Sequence, residues 1–385
     1  MKTYYNGYKI RIFPTEEQII KINEHINACR YVWNKMIEIQ NKQQEIDGRF
    51  LSEYEMNNIL VKMRQEDENK WLMNVSLHSL KLTCRRLGFS YKMFFEHISG
   101  HPKFKSKKRS KQSYPLRNEA RATYFVDNEY LQVPKIGRVR YSGYVDVEKG
   151  RDKAKLIDPM ISYDSVSDKW LLTFRLLRES EEIKLSDYKM GIDLGERKLA
   201  VVSFGEDVFV YEDINKNKKM VAMQNKVRYL RKVVSRKYLQ NNSYDKTHAI
   251  NKYEHMIAKT ERRMKNIREN YINHITTELV KMKPKQVVME DLKIDEMKKN
   301  KWRAKHIQNM CWREFRVIMC KKCEKMNIRF VLANTYYPSS KICNVCKTKN
   351  TNLTNGQEIW KCEQCGSVHD RDINASINLM NYVAK

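Results

Sequence analysis

The sequence predicts a multidomain α+β chain: a β unit interrupted by helices, then an α/β unit with a small insert near its end. Three observations carry this. At 385 residues, and about 150 residues per domain, there is room for two or three packed units. Strand patterns of period two appear on both sides of a helical block, at 8–13 and between 114 and 177. Beyond residue 189, apolar strand runs alternate with long helical stretches, as in an α/β layer.

Composition narrows the class. With 41% hydrophobic and 31% charged residues, twelve Gly and seven Pro, the chain reads as folded and polar. No run approaches the roughly 18 apolar residues that a membrane helix needs, and no signal-like apolar run follows the opening residues. A cytoplasmic protein with no membrane partner is expected. Seventy-four Lys and Arg against forty-six Asp and Glu leave +28. Such a surplus repels itself until a polyanion neutralises it, which makes nucleic acid the leading partner over a merely soluble basic surface. An anionic membrane fits less well, because no amphipathic anchor is evident. Nine Cys without a signal peptide suggest reduced thiols, some of them metal ligands.

Tyr8 to Phe13 alternates and stops at Pro14, one strand with a face in a core. Thr15 then suits an N-cap, with Glu17 in the first turn. Ile19, Ile20, Ile22, Ile26, Tyr31, Val32 and Met36 recur at helical spacing, and helices continue to about residue 98. From Gly100 to Ser113 the composition turns to Lys, Arg and Ser without apolar periodicity, a basic connector. Short strands follow at 124–126, 131–133, 138–141 and 170–176, expected to pair with the first strand.

Residues 189–204 read as an apolar hairpin-like pair with Asp193 in its first arm. Residues 216–282 lack Pro and Gly and keep Met220, Met223, Val227, Leu230 and Val234 in helical register, a basic helix pair. Gln286 to Glu290 is a buried strand ending in an acid. A helix over about 303–326 and a strand at 329–333 complete the alternation.

The strongest local signal is Cys343-Asn-Val-Cys346 followed by Cys362-Glu-Gln-Cys365-Gly366. Two CxxC turns can surround one zinc ion tetrahedrally, and four Cys ligands leave no open position, so the metal is structural. Cys320 and Cys323 also form a CxxC, but lie in a helical pattern with no second pair. They read as ordinary helix residues, and Cys29, Cys84 and Cys311 as packing or surface thiols.

Asp193 sits in an otherwise apolar strand, Glu290 ends one, and Asp372 begins a helix after His369-Asp370-Arg371. An acid in a strand core is costly unless a charge or metal compensates it. Taken singly, each could be a salt-bridged or capping group, and Asp370 or Asp372 a plain N-cap. Taken together, three converging carboxylates would supply hard oxygen ligands for two Mg²⁺ ions about 4 Å apart, suited to phosphodiester hydrolysis.

Gly191-Ile-Asp-Leu-Gly195, Val288-Met-Glu-Asp-Leu292, Tyr337-Pro-Ser-Ser-Lys-Ile-Cys343 with its four-Cys cluster, and His369-Asp-Arg-Asp-Ile-Asn-Ala375 occur in this order. The set resembles the signature of TnpB proteins, transposon-encoded RNA-guided DNA endonucleases related to compact type V CRISPR effectors. The resemblance extends over nearly the whole chain, including the first strand, Pro102-Lys-Phe-Lys-Ser-Lys107 and Ile267-Arg-Glu-Asn270. It implies a β-barrel wedge domain (1–14 and 111–185) around a helical recognition domain (15–110). It also implies a RuvC-like nuclease of RNase H type (186–337 and 369–385) interrupted by a zinc ribbon (338–368). By the same pattern Asp193, Glu290 and Asp372 are the catalytic Mg²⁺ ligands, Asp372 rather than Asp370.

The implied partners are a guide RNA and target double-stranded DNA, bound by a monomer. Sequence would be read by base pairing and a short duplex motif by the protein. Lys103, Lys105, Lys107, Lys108, Arg109 and Lys111 of the connector, and Arg228, Arg231, Arg236 and Lys237 of the helix pair, are the expected phosphate contacts. Two other readings compete: a nuclease-inactive RNA-guided repressor, and an unguided structure-selective nuclease or transposase. The intact acids weigh against the first, and the additional β unit and helical insert against the second.

Overall fold

The computed structural model describes residues 3–108, 110–116, 122–151, 153, 155–180, 183–240, 246–354 and 356–383, the side chains of 301–303 excepted. The chain divides into two compact units, one over Tyr5–Arg178 and the other from Glu179 onward together with Thr3 and Tyr4. It is a mixed α/β, multidomain fold.

In the first unit, strand β1 (Thr3–Phe13) turns Ile10 and Ile12 inward. Helix α1 (Glu16–Asp47) starts at Thr15, which accepts from the Gln18 amide while Gln18 reaches back to the cap. Gln18 thus completes a capping box, and Glu17 stands in the first turn as expected. Gly48 ends the helix in the left-handed region at φ 73°. Helix α2 (Glu53–Met63) repeats the device with Ser52 and Glu55, and α3 (Leu77–Phe95) completes the helical block.

Strands β2 (Ser113–Pro115), β3 (Tyr124–Phe125), β4 (Tyr130–Val133), β5 (Gly137–Ser142), β6 (Ile157–Asp164) and β7 (Lys169–Glu179) join β1 in a seven-stranded sheet of order β2-β6-β7-β1-β5-β4-β3. The expected pairing of the first strand with the later ones holds, since β1 runs antiparallel to β5 with Ile12 opposite Tyr141. Pro115 is tolerated because β2 ends the sheet order. Strand β6 was not expected. Pro159 interrupts its pattern, and the chain absorbs it with a register shift between Ile157 and Met160 and a positive φ of 49° at Asp158.

The second unit is built on a mixed sheet. Strand β8 (Lys189–Asp193) is antiparallel to β9 (Lys198–Phe204), and β9 to β10 (Asp207–Glu212). Helices α4 (Lys218–Gln240) and α5 (His248–Lys281) form the expected basic pair, packed through Met220, Val227 and Met264. Strand β11 (Gln286–Glu290) returns parallel to β8. After α6 (Ile294–Met297), α7 (Lys301–Met310) and α8 (Trp312–Lys325), β12 (Arg329–Ala333) adds parallel to β11. The order is β10-β9-β8-β11-β12.

One expectation is corrected here. The single helix over 303–326 breaks at Cys311, which adopts the left-handed region at φ 55° and ψ 33°. Strand β10 follows a tight turn at Gly205, φ 61°, in a stretch to which the sequence reading assigns no element. The chain then forms β13 (Ile359–Lys361), β14 (Val368–Asp370) and α9 (Arg371–Met380).

Candidate active site and metal centre

Side-chain parity sets which way the strand acids face. Successive residues of a strand point to opposite faces. Met190, Ile192, Val287 and Met289 enter the core shared with α5 and α8, through residues such as Leu279 and Phe315. Val288 instead packs with Leu379 of α9. Gly191 and Asp193 of β8, and Val288 and Glu290 of β11, therefore face α9.

Height follows from register. Ile192 stands opposite Met289 across the parallel pair, so Asp193 and Glu290 leave adjacent strand ends at the same level. The third acid arrives with α9, which lies against β8 at Gly191. A Cβ at that position would fall 2.1 Å from the Ser376 carbonyl and 2.2 Å from the Met380 amide. Ser376 also shares a 2.7 Å hydrogen bond with Ser203 of β9, the residue paired with Gly191. Asp372 lies one turn before Ser376 on the same helix face, which brings it over the end of β8 beside Asp193. Asp370 has another task. Its Oδ1 accepts from the amides of Asp372 and Ile373 at 2.9 and 3.0 Å, capping α9, and it faces Lys198 at 3.4 Å.

The electrostatics report the same convergence. Asp193 is buried, and burial followed by the charges of Glu290 and Asp372 pushes its carboxyl well above the usual range. Glu290 is also raised, first by burial, while a hydrogen bond from Ser339 Oγ and the Arg371 charge oppose the shift. A buried cluster that repels its own ionised form fits divalent cations, whose charge offsets both desolvation and repulsion. The donors are all carboxylate oxygens, the set that suits Mg²⁺.

The four Cys sulfurs of residues 343, 346, 362 and 365 lie within 4.8 Å of one another. Cys343 and Cys365 are 3.6 Å apart and Cys346 and Cys362 3.5 Å. Tetrahedral Zn–S bonds of about 2.3 Å place sulfurs about 3.8 Å apart, so the cluster could hold one zinc ion. Hydrogen bonds from Thr348 bring the Cys346 thiol down to about 6, and those from Ser367 lower Cys365, which favours the thiolate a metal needs. Cys320 and Cys323 lie on α8, the first exposed and the second buried, with burial raising both thiols.

Sequence reasoning missed the links between this cluster and the acids. His369 Nε2 is 3.1 Å from Cys343 Sγ. Asn374 Nδ2 donates to the Ile342 carbonyl at 2.7 Å and its Oδ1 accepts from the Asn344 amide at 2.9 Å. Asn378 donates to the carbonyls of Ile342 and Ser339 at 2.6 and 2.9 Å. Ser339, held there, bonds Glu290. The available signal was Asn at i and i+4 on a predicted helix, two amides on one face.

Of the expected phosphate contacts, Lys103, Lys107, Lys108, Lys111, Arg228, Arg231 and Arg236 are exposed. Lys105 and Lys237 are half-buried over the rings of Trp33 and Tyr253, and Arg109 lies outside the described residues. Arg231 is partly spent on Glu261 at 2.5 Å. It lines a groove with Arg228, Lys232, Arg268 and Lys305 between α4, α5 and α7. Among the described residues no helix is long and apolar enough to cross a membrane.

Residues 312–379 match the family described as "Cas12f1-like, TNB domain" and residues 1–48 a "Helix-turn-helix domain" of the OrfB/IS605 type. A Streptomyces pristinaespiralis protein provisionally named RNA-guided DNA endonuclease is 26% identical over 99% of this chain and 90% of its own length. The chain is similar to RNA-guided DNA endonucleases of the TnpB kind. InsQ of Escherichia coli K12, with the same provisional name, is 26% identical over 76% of this chain and 68% of its own. The solved structure of a Cas12f1–sgRNA–target DNA complex matches 98% of this chain and 99% of that protein, with a TM-score of 0.56 at 14% identity. This last likeness is one of fold. Within 1–48 the described residues form one strand and one unbroken helix.

Proposed function

We propose that the chain is an RNA-guided DNA endonuclease. Guide RNA and target duplex are its partners, and a RuvC-like site of Asp193, Glu290 and Asp372 hydrolyses the DNA phosphodiester. The observation that carries the reading is the register-matched pair Asp193 and Glu290 facing α9, with Asp372 brought over them by the contact at Gly191. The names and lengths of the relatives supply the guided part.

The mixed sheet with its acids on the α9 face is the RNase H-like nuclease of this proposal, residues 186–337 and 369–385. The four-Cys insert at 338–368 is its zinc ribbon, the seven-stranded sheet its wedge (1–14 and 111–185), and residues 15–110 its recognition helices. Mg²⁺ bound by the three carboxylates would supply Lewis-acid stabilisation of the attacking and departing oxygens. The chain's own residues hold the carboxylates in place: Ser339 orients Glu290, Asp370 caps the helix that carries Asp372, and the core beneath β8 fixes Asp193. The surplus of +28 neutralises the phosphates of guide and target.

The test is purification with bound RNA, sequencing of that RNA, and cleavage of matching DNA in Mg²⁺. Asp193→Ala should abolish cutting and leave guided binding. Cutting that survives removal of all RNA would favour an unguided nuclease. Guided binding without cutting under any divalent metal would favour a repressor.

A further inference from the structure

Between α1, α3 and the connector lies a cavity of about 130 Å³, many times the space one water requires. Arg30 and Trp33 of α1, Arg86 of α3, and Lys105, Lys111 and Gln112 line it, and among the described residues no carboxylate does. The Cys29 thiol in its wall is pushed up by burial to about 11, so it is neutral near pH 7.

The connector is not loose here. Asn34 brackets Lys105 through both its backbone groups, donating to the carbonyl at 2.9 Å and accepting from the amide at 2.7 Å. Trp33 Nε1 donates to the Lys103 carbonyl at 3.0 Å. Gln112 closes the turn on the carbonyls of Lys107 and Ser110, at 2.6 and 3.0 Å, and accepts from Arg30 at 3.3 Å. The ammonium of Lys105 is thereby set 3.3 Å from the centre of the Trp33 ring.

Arg86 points its Nη1 at the Met160 thioether, 3.3 Å away, a weak acceptor for a guanidinium. Among the described residues no carboxylate lies within ion-pair reach of it, and Asp158, the acid whose charge it feels, is bonded to Arg175. Burial lowers the proton affinity of both cations, and Lys105 falls to about 8. Holding two cations half out of water beside this cavity costs folding energy unless an anion completes the site, and low local dielectric strengthens that anion's attraction.

We propose that this cavity binds one phosphodiester group of a nucleic-acid backbone, gripped by Arg86 and Lys105 with Arg30 at its edge. Lys103, Lys107, Lys108 and Lys111 are exposed around the same turn, so a chain of phosphates suits the surface better than a lone anion. The face of Trp33 is taken by Lys105, so the phosphate is recognised rather than a stacked base. The inference deepens the nucleic-acid reading but does not need the chain to cut.

The test uses the full chain freed of nucleic acid. Binding of a short single-stranded RNA and of a short DNA duplex, both of arbitrary sequence, is measured across salt concentrations for wild type, Arg86→Gln and Lys105→Gln. Loss of one phosphate contact lowers the slope of log affinity against log salt by about 0.7 for the single strand or about 0.9 for the duplex. The arm that changes names the backbone held. Arg86→Gln, relieved of a buried charge, should melt at or above wild type without nucleic acid. Unchanged slopes on both probes would overturn the proposal. So would an Arg86→Gln variant that melts lower yet binds as wild type, which would make the arginine a packing residue. Cleavage is not scored, so a failure of the nuclease reading leaves this result independent.

Discussion

Gly191→Ala tests the placement of α9 by one methyl group. The added Cβ would lie 2.1 Å from Ser376 O, 2.2 Å from Met380 N and 2.8 Å from Met380 Cα, all backbone atoms of α9 or its packing face that no rotamer change can move. Ordinary contact begins near 3.4 Å, so α9 must retreat from β8 by about 1 Å and take Asp372 with it. Misplacing a reacting group by about 1 Å costs on the order of 100-fold in rate. Overpacking adds about 1–3 kcal/mol of destabilisation, a fall in Tm of roughly 1–4 °C for a chain of this size. The assay is single-turnover cleavage of matched duplex at saturating Mg²⁺, with guided binding measured in parallel and expected to persist. Gly88→Ala serves as control, because its Cβ would meet only Met56 Cε at 3.5 Å and α3 should gain from the better helix former. Wild-type cutting with unchanged Tm in Gly191→Ala would refute the close packing of α9 on β8, and with it the convergence of the three acids.

Asp193→Asn should lose cutting and, in chelator, melt a few degrees above wild type, because it removes a carboxyl penalised first by burial and then by the charges of Glu290 and Asp372; a lower Tm in calorimetry would contradict this. Ser339→Ala removes a hydrogen bond to the Glu290 carboxylate, about 1.5 kcal/mol or more, so cleavage should slow about tenfold, and an unchanged rate would show that Glu290 is held without it. Metal analysis should find one zinc per chain, and Cys362→Ser should lower both the zinc content and the Tm. Asn374→Ala should keep the zinc yet slow cutting, because it unties α9 from the Ile342 and Asn344 backbone; full activity in that variant would uncouple ribbon from site.

What could be read from the sequence was whatever rests on local pattern. Strand β11 and the Val227–Leu230 register of α4 follow from apolar periodicity. The cysteine quartet follows from spacing, and the acids stand out as charges in apolar runs. What could not be read depends on contacts between distant residues. Gly191 looks like any strand glycine until α9 is laid on it. Strand β6 hides behind Pro159, whose lost donor is tolerated at a register shift that no periodicity announces. Cys311 breaks a helix without Gly or Pro, at a left-handed backbone that no local pattern signals. The choice between Asp370 and Asp372 came from the family resemblance, and the fold supplies a physical reason, since the capping bonds occupy Asp370. The Arg86 cavity was invisible for a simpler reason: its cations come from three segments, and only the connector looked basic.

No spacer separates the strand beside the four-Cys cluster from the helix that carries Asp372: β14 ends at Asp370, and α9 begins at Arg371. Within four consecutive residues, His369 touches a cysteine sulfur, Asp370 starts the helix and Asp372 joins the acid cluster. Under the proposed function, a four-Cys centre emptied by a chelator or oxidised at its thiols would therefore act as a fuse, disarming the blade while the grip on guide and target stays closed.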